Sequence, residues 1–179
     1  MATLTFKNAA ASDAEVIQSI YAPYVEHTAI TFEYDVPSVE EFRKRITDTV
    51  QHYPYILLLA DDVVCGYAYA HRFHERKAFD PSVEISIYLD QNCRSKGYGS
   101  ALYRKLEERL RAQGVASVYA VVAATKRSKD PYVTDASIQF HTRMGFEIAG
   151  RLSNCANKFN LWYDIVYMEK HLIDFPKQN

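Results

Sequence analysis

The chain has 179 residues, enough for one ordinary domain with a proper core and too few for a comfortable second one. With 48% hydrophobic and 24% charged residues and a formal charge of -1, it reads as a soluble globular protein, which sets aside disordered chains and nucleic-acid coats. No apolar run is long enough to cross a bilayer and the start, MATLTFKNAAASDAEV, lacks the pattern of a secretory leader, so a cytoplasmic protein without nucleic-acid or membrane partners is expected.

In chain order, Thr3 to Lys7 alternates like a short strand. Ser12 to Glu15 has the spacing of a capping box, opening a helix that carries Val16, Ile17 and Ile20 and that Pro23 ends or kinks. A second box, Ser38 to Glu41, opens a helix with Val39, Phe42, Ile46 and Val50 on one face. Tyr55 to Ala60 and Val63 to Ala70 flank Asp61-Asp62 as the arms of an antiparallel hairpin. In SVEISIYL, Ser82 to Leu89, Val83, Ile85, Ile87 and Leu89 point one way and Glu84, Ser86 and Tyr88 the other, so one face is core and the other meets something polar. Leu102, Leu106 and Leu110 define a helix that Gly114 stops. Ser117 to Ala124 is a strand, Asp135 to Met144 a helix closed by Gly145, and Phe146 to Arg151 and Trp162 to Glu169 are the last two strands. No repeat or linker interrupts the series, so residues 1–179 are expected to form a single mixed α/β domain.

Chemistry concentrates between the strand at Ser82 and the helix at Leu102. Arg94-Ser95-Lys96-Gly97-Tyr98-Gly99 offers successive amides at a helix start, glycines that let a phosphate approach, and two cations. It lacks both the Walker lysine and the third glycine of the dinucleotide fingerprint. Cys65, Cys93 and Cys155 are odd in number and widely spaced, so reduced thiols are expected, with no disulfide framework and no zinc site. His71 and His74 have no ligand spacing, and no metal is expected.

Arg94-x-x-Gly97-x-Gly99 after VEISIYL resembles the acetyl-CoA pyrophosphate loop of the GNAT N-acetyltransferases. SIQFHTRMGF, Ser137 to Phe146, is similar to the second signature of that superfamily. IYAPYVEHTAITFE and FHERKAFDPSVEISIYL resemble the phosphinothricin and methionine-sulfoximine acetyltransferase subgroup, and the likeness runs from Leu4 to Glu169. It implies the GNAT fold: a mixed, mostly antiparallel sheet with splayed fourth and fifth strands, flanked by helices. It also implies direct transfer of acetyl from acetyl-CoA to the amine of a small amino-acid-like substrate, with no metal, in a homodimer. An acetyltransferase for a polyamine, an antibiotic or a protein amine stays open as an alternative, as does a non-catalytic acyl-CoA sensor.

The resemblance assigns roles to particular residues. Glu84 holds the general-base position, where an isolated strand glutamate would otherwise be a solvated or salt-bridged one. A bulge in the fourth strand would free the amides of Ile87, Tyr88 and Leu89 for the acetyl carbonyl and the pantetheine arm. His141 stands where a tyrosine usually meets the leaving thiolate, and an imidazolium could donate there. The pyrophosphate would rest on Ser95, Lys96, Gly97, Tyr98, Gly99 and Ser100, with charge from Arg94 and Lys96. Arg76 is placed to meet a substrate carboxylate, and Phe32 to wall the pocket. Two features depart from the pattern: the basic insertion Lys126 to Tyr132, and Asp135 in place of an Asn.

Overall fold

The computed structural model describes residues 2–94 and 96–175. Its elements are β1 (Leu4–Asn8), α1 (Ala14–His27), α2 (Val39–Val50), β2 (Tyr55–Ala60), β3 (Val63–Arg72), β4 (Ser82–Leu89), α3 (Tyr98–Ala112), β5 (Ser117–Ala124), α4 (Ala136–Arg143), β6 (Glu147–Lys158) and β7 (Leu161–His171). The seven strands lie in the order β1-β2-β3-β4-β5-β7-β6, antiparallel except for β4 and β5. Two tight hairpins need left-handed residues at both turn positions. Asp61 and Asp62 (φ 48° and 63°) supply them between β2 and β3, and Phe159 and Asn160 (φ 55° and 58°) between β6 and β7.

Alternation along the strands feeds two cores. Ile56, Leu58, Val83 and Ile85 face Leu102, Leu106 and Leu110 of α3, which keep the helical spacing read from the sequence. Tyr55, Leu57 and Tyr67 face Ile17, Ile20 and Tyr21 of α1 and Phe42 and Ile46 of α2. The central strands are thus buried on both faces, and the Tyr88 face of β4 is covered by aromatic rings: Tyr21 and Tyr24 meet Tyr88 edge-on at 4.9 and 5.2 Å.

Three local expectations need correction. Ser12 caps nothing; a 3-10 turn, Ala11–Asp13, precedes α1, and buried Asp13 accepts from the Ala10 N–H and the Lys7 ammonium instead. Pro23 does not end α1, which runs on to His27 because Tyr24 and Val25 are buried beyond it. In the second box Ser38 accepts from the Glu41 N–H, but the Glu41 carboxylate turns outward to Arg45.

Candidate active site

The sheet forks at one rung. β4 and β5 pair only from Ser82 to Glu84 against Ser117 to Tyr119; beyond that β5 follows β7 and β4 follows β3. Glu84 is therefore the last paired residue before a wedge opens between two parallel strands. It keeps 27% of its side chain exposed, and its Oε1 lies 3.4 Å from Nε2 of His71 on β3, its cross-strand partner.

The expected bulge in β4 is absent: its register with β3 is continuous from Val83 to Leu89, and the opening comes from β5 leaving. The Asp90 N–H bonds the Cys65 carbonyl, so alternation turns the Tyr88 amide toward β3 and those of Ile87 and Leu89 toward the fork. At Leu89 both backbone groups are taken, the N–H donating to the Tyr24 hydroxyl (3.2 Å) and the carbonyl accepting from it (2.7 Å). Among the three amides singled out in the sequence, Ile87 is the one left facing the cleft.

The opposite wall is formed by Ala120 to Ala123 of β5 with Ser137, His141 and Tyr103. His141 is 5% exposed and held at both nitrogens. The Ser137 carbonyl can only accept, so Nδ1 carries a hydrogen (2.7 Å), and Nε2 accepts from the Tyr103 hydroxyl (2.7 Å). Burial lowers the His141 pKa more than the Ser137 carbonyl raises it, which favours the neutral imidazole over the imidazolium that donation to a thiolate would use. The hydroxyl proton at this wall belongs to Tyr103, whose phenol is kept protonated by complete burial. Sequence reading missed Tyr103 because it falls on the apolar face of α3, among leucines.

From the fork the cleft continues, through Ile87, Ala136 and Ser137, into a slot of about 320 Å³ bordered by Tyr24, Leu89, Arg94, Gly99 and Phe140. It reaches the glycine loop. Gly97, at φ 80°, is the residue before α3, and among the described residues no side chain caps the first turn, whose amides at Tyr98, Gly99 and Ser100 have no intrahelical partners. Together with the positive end of the helix dipole these make a cradle for an anion. The Arg94 guanidinium lies over the Tyr24 ring at 5.1 Å and the Lys96 ammonium over Tyr98 at 6.0 Å, so both cations border the cradle. Ser95, assigned to the same contact, lies outside the described residues. Beside the loop the fold brings Cys65 and Cys93, far apart in sequence, together as free thiols. Burial, with the neighbouring sulfur, pushes the Cys93 thiol up to about 11.

On the acceptor side, half-buried Phe32 packs toward Tyr163 (6.2 Å between rings) in a cluster with Ala29, Ala123 and Val133. Arg76 lies on the loop joining β3 to β4, at the end of the sheet where His71 meets Glu84; its side chain is exposed. The basic insertion is braced and not splayed. Asp130 accepts from Arg127 Nε (2.7 Å) and from the N–H groups of Tyr132 and Val133, and Tyr132 stacks on Phe159 at 4.1 Å. Asp135 precedes α4 without capping it. Among the described residues no group of three metal-binding side chains converges.

A seven-stranded mixed sheet forked between two parallel strands, with an uncapped glycine-rich helix start at the end of the cleft, is the architecture of an acyl-CoA N-acyltransferase. The chain belongs to the GNAT acetyltransferase family: the model of the acetyltransferase (GNAT) domain matches residues 6–167. It is 32% identical over 171 residues to the L-methionine sulfoximine/L-methionine sulfone acetyltransferase of Pseudomonas aeruginosa, covering 94% of both chains. To the phosphinothricin N-acetyltransferase of Streptomyces viridochromogenes it is 27% identical over 162 residues, 90% of this chain and 84% of the relative. The crystal structure of a GNAT superfamily phosphinothricin acetyltransferase from Sinorhizobium meliloti in complex with AcCoA superimposes with a TM-score of 0.85 at 33% identity, over 94% of this chain and 88% of that one.

Proposed function

We propose that this enzyme acetylates the α-amine of a small amino-acid-like substrate of the phosphinothricin or methionine sulfone and sulfoximine type. The observation that carries the reading is the continuous cleft from Glu84 at the fork to the bare amides of Tyr98, Gly99 and Ser100, in a chain whose named relatives are acetyltransferases for such compounds. Acetyl-CoA supplies the acetyl group and the thiolate that leaves. Glu84 takes the proton that the acceptor amine loses. The Ile87 N–H faces the place where carbonyl oxygen charge develops, and a fixed donor there acts without reorganising. Tyr103 and His141 border the leaving sulfur, Arg94 and Lys96 neutralise phosphate, and Arg76 takes the substrate carboxylate while Phe32 walls it in. Cys93, the thiol beside the glycine loop, is poorly suited to carry the acetyl group itself, because burial and the neighbouring sulfur push it up to about 11 and leave almost no thiolate at neutral pH. The same reading places the enzyme in the cytoplasm with free thiols, and as a homodimer through the β6–β7 hairpin at the end of the sheet, where Ile148, Leu152 and Trp162 are exposed.

The test is thiol release from acetyl-CoA across methionine sulfone, methionine sulfoximine, phosphinothricin, polyamines and aminoglycosides. Release with the first three alone is expected, and Glu84→Gln should slow it about 100-fold while leaving CoA affinity unchanged. CoA binding without release from any acceptor would overturn the reading in favour of an acyl-CoA sensor.

A further inference from the structure

His71 carries no sequence signal, yet antiparallel pairing sets it opposite Glu84 on the last rung before the fork. Its Nδ1 lies 3.2 Å from the Arg72 carbonyl and its Nε2 3.4 Å from Glu84 Oε1. A carbonyl only accepts, so Nδ1 carries a hydrogen. A neutral ring in that tautomer turns a bare lone pair toward a carboxylate oxygen, which repels it. The contact is attractive only with a proton between the two groups, either as imidazolium and carboxylate or as imidazole and carboxylic acid.

Building on the reading of Glu84 as the base, we propose that His71 is a positioning residue that decides when Glu84 can act: the proton held between them must leave before the pair can accept one from the acceptor amine. In the reaction the amine nitrogen bonds to the acetyl carbon, the carbon–sulfur bond breaks with its electron pair on sulfur, and the amine proton passes to the emptied pair. His71 is well placed for this control. Among the described residues no other charged group lies within ion-pair distance of it. Tyr69 of β3 is 6.1 Å away between rings. The cavity that His71 borders holds Tyr21 of α1, Arg45 and Asp48 of α2, Tyr55 of β2 and Tyr67 of β3. Arg45 is committed to Glu33 and Glu41, and Asp48 to Lys44. On β5, Tyr119 stands opposite Glu84. Burial alone lowers the His71 pKa, and the Glu84 carboxylate raises it by more, so the net displacement is upward.

The experiment is the pH dependence of kcat/KM for wild type, His71→Gln and Glu84→Gln, alongside an NMR titration of the His71 ring; the acceptor's own ionisation is common to all three and cancels. The wild-type acid limb should follow the His71 titration. In His71→Gln it should move to lower pH by about one unit or more. In Glu84→Gln the His71 titration should fall back toward its ordinary range. If His71→Gln keeps the wild-type acid limb, or if His71 titrates alike with and without Glu84, the inference is overturned and Glu84 as base still stands. A Glu84→Gln enzyme with the wild-type rate would overturn the base assignment itself, separately.

Discussion

Lys158 shows how one side chain shapes the cleft from outside it. It sits at the end of β6 beside the hairpin turn, 2% exposed, and its ammonium donates to the carbonyls of Val25 (2.7 Å), Thr28 (2.9 Å) and Thr31 (2.9 Å). An ammonium has three hydrogens and here each has an acceptor, which is what makes burial of the charge tolerable. The acceptors include the last turn of α1, where the negative end of the helix dipole favours a cation. They also bracket Ile30, which lines the cleft, and adjoin Phe32. Lys158→Met keeps most of the volume and strands three carbonyls, so urea unfolding should show a loss of about 3 kcal/mol. The freed segment should also raise KM for the acceptor more than it lowers kcat. Sequence reading could not find this residue, because a lysine at a hairpin end is ordinarily solvated and nothing local marks the helix end it reaches.

At the scale of elements, the glycine loop offers a clean separation of two effects. Gly97 has open space around its missing Cβ but φ at 80°, whereas Gly99 is helical and a Cβ there would meet Phe140 Cε2 at 3.3 Å and Leu89 Cδ1 at 3.5 Å. Gly97→Ala should therefore cost about 1 kcal/mol of stability through backbone strain, seen in chemical denaturation. Gly99→Leu should instead fill the slot beside Leu89 and Phe140 and weaken CoA binding at least about tenfold by calorimetry. This loop was legible in the sequence because its chemistry is local: glycines, cations and a helix start in consecutive residues. The strands and α3 were legible from their alternation and four-residue leucine spacing, whereas Glu84 stood out only through the family resemblance, since its place in the strand alone reads as a solvated glutamate. What was not legible depends on pairing across the sheet or on packing. His71 gains meaning only from its register against Glu84, and Tyr103 and Tyr24 only from what their hydroxyls reach. β6 runs to Lys158, well past Arg151, because its register with β7 breaks between Ile148 and Gly150 and between Leu152 and Ala156, and those breaks scramble the alternation that marks a strand.

Across the whole molecule, the side of the sheet beyond the fork adds two buried carboxylates to its apolar packing. Asp164 of β7 is 2% exposed and accepts from Arg151 Nε (2.7 Å) and the Asn154 N–H (2.7 Å), tying β7 to the irregular part of β6. Asp130 gathers the insertion through Arg127, Tyr132 and Val133, and Arg127 NH1 donates to the Trp162 carbonyl of β7 at 2.9 Å. Burial by itself raises the pKa of both acids, and the backbone N–H groups and the arginines beside them lower it by more, so each is held below the ordinary carboxylate range. A carboxylate with a depressed folded pKa contributes stability above its unfolded pKa and loses it as pH falls through the folded value. The expected thermal midpoint is therefore level from neutral pH down to about 5 and falls steeply below about 4. Asp164→Asn should lower the midpoint at neutral pH and make the acid fall shallower, since the protonated and substituted side chains are then alike in charge. A scanning calorimetry series at stepped pH separates this from a general loss of packing, because a cavity or a strained turn would shift the whole curve down without changing its slope below pH 4.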